Sequence, residues 1–259
     1  MKFPDSLLTT LRAARHVAVL TGAGISAESG IPTFREAQTG LWAQYDPQEL
    51  ATPQAFRRDP RLVWEWYTWR RGLVLAAEPN AGHRALAALA AVTPRLTLIT
   101  QNIDNLHQRA GSPAVIELHG NITRTICFEN RHPVTDWAET NAPPPRCPVC
   151  GSLLRPDVVW FGESLPAFNI SQAMHAAKTC DIFFSIGTSA LVYPAAALPL
   201  AAAENGHFLV EVNPQQTPLT PYASLWLDGP AGEIMPALLR AAWPDHQTGD
   251  ENAPFGNGA

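Results

Sequence analysis

Three groups of residues in this chain have the types and spacing of working chemistry. In VLTGAGIS, Gly22 and Gly24 directly follow an apolar run, where a chain must turn sharply and its amides can approach a phosphate. GAGISA fits the GxGxxA form of the dinucleotide fingerprint, a weak signal alone because short glycine motifs arise often by chance. The usual sequel is a helix, a second strand and an acidic residue about 20 positions on. That sequel is missing: residues 25–60 carry little strand pattern, and ISAESGIPTFREAQTGLW has the Gly, Pro and Ser of a ligand-covering loop. An ordinary hydride-transferring dehydrogenase is therefore disfavoured, while a nucleotide binder with an inserted loop survives. In such a binder Gly187, Thr188 and Ser189 line the phosphate or ribose, and Asn213 takes over ribose recognition. Each alone reads as a strand-end turn residue; their convergence on one sheet edge carries the expectation.

The second group lies in VWEWYTWRRG, residues 63–72, an aromatic run suited to a buried helix that nevertheless carries fixed charge. If the run is helical, Tyr67 and Arg70 share a face, and a guanidinium beside a phenol forms a fork for a carboxylate. The plainer reading is a core helix with arginines at its solvent edge. Arg71, one position round, is expected to be solvated or paired with Glu65 or Glu78. The third group is Cys147-Pro-Val-Cys150, with Cys127 upstream. Four cysteines at this length make no disulfide framework, so the CxxC reads as metal or redox chemistry. Redox is the weaker reading because no thioredoxin-like strand precedes the motif. Cys180, in KTCDIFF, reads as a buried core thiol.

The elements that must position these groups are legible in the hydrophobic pattern. With 259 residues, 46% of them hydrophobic and 16% charged, the chain can bury the core of one large domain carrying a small subdomain. A net charge of -5 argues against wrapping nucleic acid. No apolar run approaches the roughly 18 residues a membrane span needs, and the N-terminus lacks a signal-peptide pattern, so a soluble cytoplasmic protein is expected. Apolar runs at 16–24, 95–102, 114–120, 181–189, 207–213 and 224–229 read as buried parallel strands. Segments around 5–14, 62–77, 81–91, 171–179 and 193–205 supply crossover helices. This is an open α/β sheet, in which ligands sit beyond the carboxyl ends of the strands. Residues 127–156 form a Pro-rich insertion too poor in apolar residues for its own core, which a metal would help to hold. The polar, Gly-rich tail after Pro244 is expected to be disordered.

Six ordered motifs, GAGISAESGIPTFR (22–35), TQNIDNLH (100–107), ELHG (117–120), RPDVVWFGE (155–163), GTS (187–189) and EVN (211–213), closely resemble the sirtuins, the NAD-dependent protein lysine deacylases. The resemblance runs over roughly residues 5–240. It implies a Rossmann-like parallel sheet with helices on both faces plus a small inserted, zinc-ribbon-like subdomain. The sheet domain would comprise about 5–35, 78–120 and 156–240, the subdomain about 36–77 and 121–155, within a deacylase domain 1–244. By motif, Gly22, Ala23, Gly24, Ile25, Phe34 and Arg35 contact NAD, and Gln101, Asn102, Ile103 and Asp104 surround the nicotinamide and its ribose. Gly187, Thr188, Ser189 and Asn213 hold the adenosine side, with Ala231 near the adenine. The resemblance makes His119 the expected general base, supported by Asn102 and Asp104, while His83 and His107 keep structural readings. Val159, Trp160 and Phe161 line the peptide and acyl tunnel.

In that family's reaction NAD is consumed, and the acyl group of a modified lysine ends on ADP-ribose. Histidine suits the base because its ordinary pKa, about 6.5, lies near working pH. The implied partners are acylated lysine side chains of proteins, with no membrane, no direct nucleic acid and a monomeric state. The family's structural zinc uses two CxxC pairs, but here the first reads Cys127-Phe-Glu-Asn130. Zinc would need Cys127, Cys147 and Cys150 plus a fourth donor from His132, Glu129 or Asp136; the alternative is a metal-free loop held by packing and the PPP turn. The YxxR spacing of Tyr67 and Arg70 resembles the subclass that removes succinyl, malonyl and glutaryl groups. A charge-assisted pair of roughly 1.5–3 kcal/mol would favour such acyl groups about ten- to a hundredfold, with deacetylation persisting. The rival functions are a protein mono-ADP-ribosyltransferase and a non-enzymatic module that senses NAD or acyl-lysine.

Overall fold

The fold is that of a computed structural model, which describes residues 1–32, 45–137 and 142–245. Phe34 and Arg35, and the tail beyond Asp245, lie outside the described residues. In chain order the strands are β1 (Val17–Thr21), β2 (Leu96–Thr100), β3 (Val115–Glu117), β4 (Gly120–Cys127), β5 (Leu154–Val158), β6 (Ile182–Ile186), β7 (Phe208–Val212) and β8 (Leu225–Leu227). Six of them form one parallel sheet in the order β3-β2-β1-β6-β7-β8, while β4 and β5 pair antiparallel by themselves. Numbering only the sheet strands, this is the 3-2-1-4-5-6 order of the doubly wound dinucleotide fold, whose strand order reverses between β1 and β6.

The helices are α1 (Asp5–Ala13), α2 (Gly24–Ala27), α3 (Pro47–Leu50), α4 (Pro53–Arg58), α5 (Pro60–Ala76), α6 (Ala81–Val92), α7 (Leu106–Arg109), α8 (Ala167–Thr179), α9 (Ala197–Glu204) and α10 (Ala231–Ala242). Because both sheet faces are covered, the central strands β1 and β6 are buried throughout and mostly apolar, and their side chains divide by alternation. Val17, Val19, Phe184 and Val210 face a core shared with α1, α6 and α10. Ala18, Leu20, Phe183 and Leu209 face a second core closed by α8 and α9.

The six apolar runs all became strands of this sheet, while the short helices α2, α3, α4 and α7 were not expected, the first three lying largely in the 25–60 stretch read as a loop, and two longer helices also differ. Residues 193–205 are helical only from Ala197, after a cis Tyr193–Pro194 bond. Helix α10 was not anticipated, because Pro236 lies in its interior and such a proline normally breaks a helix. Tertiary packing overrides that cost: Ile234, Met235, Leu238, Leu239 and Ala242 bury one face. Arg12 donates to the terminal carbonyls of Ala241 and Ala242, and Glu28 accepts from the Gly232 amide at the other end.

The β4–β5 ribbon packs against α5, away from the sheet. Asp59 caps α5 by accepting from the Leu62 amide at 3.0 Å, with Pro60 in the first turn. Val63, Trp66, Tyr67 and Val74 of α5 bury against Phe56, Ile122, Val158 and Trp160. A smaller cluster joins Trp64 of α5 to Cys127, Val134, Cys147 and Leu154. No helix among the described residues is long and apolar enough to cross a membrane.

Candidate active site

Where β1 and β6 diverge, two glycine turns press backbone to backbone. Gly22 N donates to Ile186 O at 3.0 Å and Gly24 N to Gly187 O at 2.9 Å. A Cβ on Gly24 would lie 2.7 Å from Gly187 Cα, and one on Gly187, whose φ is +61°, 2.5 Å from Ile25 N. Only glycine fits either position, which leaves the short α2 starting at the crevice mouth. Beside them Asn213 Nδ2 donates to Thr188 O at 2.8 Å, and Thr188 Oγ1 bonds Ser185 Oγ at 3.0 Å. Asn213 thus ties the ends of β6 and β7 together, with Ser189 exposed next to it and Ala231 buried at the start of α10.

The loop after β2 carries Gln101, Asn102, Ile103 and Asp104 across to β1. Asn102 Nδ2 donates to Gly22 O at 3.1 Å and to Ser26 Oγ at 3.0 Å, while Ser26 Oγ donates to Asp104 Oδ2 at 2.7 Å. Ile103 O accepts from Ile122 N at 2.9 Å, joining this loop to β4. The second oxygen of Asp104 accepts from the Leu106 amide at 3.0 Å. Burial raises the Asp104 carboxyl above its usual range, and the bonds from Leu106, Ser26 and Asn102 oppose that shift. Ser26 is the hub that sequence reading passed over, although it lies inside the glycine motif.

His83 and His107 lie behind this array with ring centroids 4.9 Å apart. His83 Nδ1 accepts from the Asn80 amide, so the proton of the neutral ring sits on Nε2, facing Ser26 Oγ at 3.4 Å. His107 Nε2 bonds Thr21 Oγ1 at 2.8 Å, and its Nδ1 is buried with no partner among the described residues. Burial lowers both rings, His83 to about 4 and His107 to about 3. Both rings are held neutral by burial.

His119 follows β3 at the corner where the chain leaves the sheet for β4. Its Nδ1 faces Gln101 O at 2.8 Å. A carbonyl only accepts, so Nδ1 carries the proton and Nε2 keeps the lone pair. Burial lowers its pKa, opposed by the bond to Gln101. The ring is held in the neutral tautomer that a base requires.

On the far side of His119, Val159 N donates to His119 O at 2.9 Å, opening the 159–163 loop after β5. Glu163 organises this loop. Its carboxylate accepts from Arg155 Nη1 at 2.7 Å, Arg155 Nη2 at 2.9 Å, Arg131 Nη1 at 2.9 Å and the Trp160 amide at 2.8 Å. The buried Arg155 guanidinium stacks 3.3 Å from the Trp160 ring centroid. Trp160 itself is 1% exposed and donates through Nε1 to Tyr67 Oη at 3.0 Å; Phe161 is exposed. Of these tunnel candidates, therefore, Trp160 belongs to the aromatic core under α5. Burial pushes the Tyr67 phenol up to about 12, so it stays protonated. Arg70 lies one turn on, over the Trp66 ring at 5.0 Å. The pairing expected for Arg71 is absent: it is half-buried and bonds neither Glu65 nor Glu78, but donates from Nε to Ile122 O at 2.8 Å and reaches Thr125 Oγ1 at 3.4 Å. Glu65 pairs with Arg61 and Glu78 with Arg109.

The cysteine module gains the ligand its sequence lacked. Sγ of Cys127, Sγ of Cys147 and a ring nitrogen of His132 lie within 4.8 Å of one another. His132 Nε2 is 3.2 Å from Cys147 Sγ, and Cys150 Sγ is 3.5 Å from Cys127 Sγ. Tetrahedral zinc with bonds of about 2.3 Å to sulfur would place its ligand atoms roughly 3.5–3.8 Å apart, so the chemistry of Cys127, Cys147 and His132 suits the ion, with Cys150 approaching the group through Cys127. Neither Glu129 nor Asp136 belongs to the cluster. Arg131, with φ +60°, turns the chain so that His132 comes back to Cys127, whose amide donates to His132 O at 3.0 Å.

A doubly wound sheet with a glycine-lined switch point, a neutral histidine and a cysteine–histidine module in a second small layer defines a nucleotide-dependent α/β enzyme class. The family profile described as Sir2 matches residues 22–194, and the chain belongs to that family. A Methylococcus capsulatus protein named NAD-dependent protein deacylase is 54% identical, covering 93% of this chain and 98% of its own length. A Pseudomonas aeruginosa relative named NAD-dependent protein deacylase 1 is 49% identical, covering 92% and 99%. Among solved structures, a Sir2 homologue–NAD complex superposes with a TM-score of 0.86 at 47% identity, covering 94% of this chain and 95% of that one.

Proposed function

We infer that this chain is an NAD-dependent protein lysine deacylase that releases nicotinamide and acyl-ADP-ribose, with succinyl and malonyl groups preferred over acetyl. The observation that carries the reading is the tautomer of His119, fixed by Gln101 O, on the strand end beside the glycine crevice of a Sir2-family chain. Bound NAD supplies an anomeric carbon from which nicotinamide leaves as the acyl oxygen attacks, and a ribose hydroxyl that afterwards takes the acyl group. Gly22, Ala23, Gly24 and Ile25, with Gly187, Thr188, Ser189, Asn213 and Ala231, would hold its phosphates and adenosine. Gln101, Asn102, Ile103 and Asp104 would hold the nicotinamide end, where the Asn102–Ser26–Asp104 array is already rigid. His119 Nε2 would take the proton of the ribose hydroxyl. Zinc on Cys127, His132 and Cys147, with Cys150 beside Cys127, would be structural, since Cys127 and Cys147 pack with Trp64 of α5 in a cluster that holds none of the residues of the glycine crevice.

The acyl preference rests on Tyr67 and Arg70 sharing a face of α5. The Tyr67 oxygen accepts from Trp160, which leaves its own proton to donate, and a distal carboxylate would complete the fork. The deacylase names of the relatives do not favour mono-ADP-ribosylation. The test compares initial rates on one peptide bearing acetyl- or succinyl-lysine, with NAD, for wild type and Arg70→Met. A succinyl preference of about ten- to a hundredfold that vanishes in the variant is expected. Equal rates in wild type would remove the acyl preference, and adenosine label on protein in place of acyl-ADP-ribose in solution would remove the deacylase reading.

A further inference from the structure

The 118–120 corner that holds His119 is closed by a side chain outside the machinery described so far. Glu117 Oε1 accepts from Asn121 Nδ2 at 2.8 Å, so the residue before the corner and the residue after it are tied directly across His119. The same oxygen accepts from Gln108 Nε2 of α7 at 2.7 Å, and Oε2 pairs with Arg124 Nη2 at 2.5 Å. Arg124 Nε in turn reaches Asp157 Oδ2 of β5 at 2.9 Å. Asn121 Nδ2 also donates to Asn105 Oδ1 at 3.1 Å, next to Asp104 in the loop after β2. The Glu117 carbonyl accepts from Asn169 of α8 at 2.7 Å.

The corner needs such a tie. Leu118 N still bonds Thr100 O at 2.9 Å in the parallel sheet, whereas Gly120, with φ +79°, already belongs to the β4–β5 ribbon, and a Cβ on it would lie 2.1 Å from Asp157 O. Two rigid layers meet within three residues, and His119 is the middle one. Its ring is fixed at Nδ1 by Gln101, but the place of its Cα depends on how the ribbon sits against the sheet. The Glu117 carboxylate gathers donors from the sheet side and the ribbon side at once.

We propose that Glu117 is a positioning residue for the His119 base, holding the corner at one setting through Asn121 and Arg124. The proposal rests on the deacylase reading above, and its consequence is selective. The base enters only when the ribose hydroxyl takes the acyl group; expulsion of nicotinamide does not use it. Displacing His119 should therefore slow acyl transfer while leaving nicotinamide exchange in place, since misplacement by about 1 Å can cost on the order of a hundredfold in rate.

The experiment measures two rates on the full chain, with NAD and one acyl-lysine peptide: formation of deacylated peptide, and incorporation of labelled nicotinamide into NAD. Glu117→Gln keeps the shape and removes the charge. It should lower deacylation about ten- to a hundredfold with exchange within about twofold of wild type. Arg124→Met, which leaves the Asn121 tie intact, should show the same pattern at smaller size, and it serves as the test if Glu117→Gln does not fold. Parallel loss of both rates in Arg124→Met, or unchanged deacylation in a folded Glu117→Gln, overturns the proposal. A wild type without deacylation overturns the parent reading instead.

Discussion

Replacing Glu163 by alanine isolates one buried ion pair and its effect on the acyl-side loop. Arg155 is fully buried, its Nε has no partner among the described residues, and its remaining hydrogen bond would be the one from Nη2 to Val158 O at 2.7 Å. Burial pushes the Glu163 carboxyl up, yet its bonds from Arg155 and the Trp160 amide and the nearby Arg131 charge outweigh this and hold it below the usual range. Breaking such a pair on one side leaves an uncompensated interior charge, at a cost of about 3–5 kcal/mol. A melting entropy of about 2.1 cal/mol/K per residue gives roughly 0.5 kcal/mol/K for a chain of this length, so melting should fall by about 6–10 °C. Thermal denaturation of wild type, Glu163→Ala, Arg155→Met and the double variant completes the cycle. The double variant should recover at least half of the loss, because an apolar side chain in that site carries no desolvation penalty. Since Glu163 also fixes the Trp160 amide, the KM for acyl peptide should rise in Glu163→Ala with that for NAD unchanged. A melting point within about 1 °C of wild type, or strictly additive losses in the cycle, would refute the reasoning.

Gly24→Ala should lose about 1–3 kcal/mol of stability to overpacking and raise the KM for NAD, because its Cβ meets Gly187 backbone atoms at 2.7 and 2.8 Å. Gly72→Ala, inside the C-terminal part of α5 with nothing within 4 Å, should instead stabilise by about 0.4–1 kcal/mol; urea titration reads both. His83 and His107 have folded pKa values depressed by burial to about 4 and about 3. The unfolded chain therefore binds more protons below pH 6.5, and stability present above that pH should decline as pH falls, by about 1.4 kcal/mol per pH unit for each ring. His83→Gln should flatten part of that slope. The deacylation rate should hold through neutral pH and fall only on an acid limb below 6.5, since burial lowers His119. Purified chain should contain about one zinc ion. His132→Ala should release it and lower melting, while His132→Cys should retain it; metal analysis of the two variants decides.

Much of the site was legible because its chemistry is written in contiguous runs. Each apolar stretch ending in Gly, Asn or His announced a strand and the residues at its carboxyl end, and a parallel sheet delivers those ends to one edge whatever the loops do. Gly22, Gly24 and Gly187 could be named in advance for that reason. Helix α10 was hidden by Pro236, whose local penalty is outweighed by the apolar face it buries. Periodicity could not show this, because a propensity describes the isolated chain.

What the sequence determined by itself is therefore the strand inventory, the glycine crevice, the histidine at the end of β3 and the shared face of Tyr67 and Arg70. Only the tertiary structure decided the partners. Ser26 became the hub for Asn102, Asp104 and His83. His132 was chosen over Glu129 and Asp136 for the cysteine cluster, and Arg71 turned to β4. Glu117 and Glu163 became the ties that set the His119 corner and the Trp160 loop. Periodicity places a residue on a face, whereas a hydrogen bond or a metal ligand needs two atoms within about 3–4 Å. The Glu117 and Glu163 ties close within three or four residues, whereas Ser26, Arg71 and His132 meet partners 15 to 78 positions away, which only the packing of the two layers brings that close.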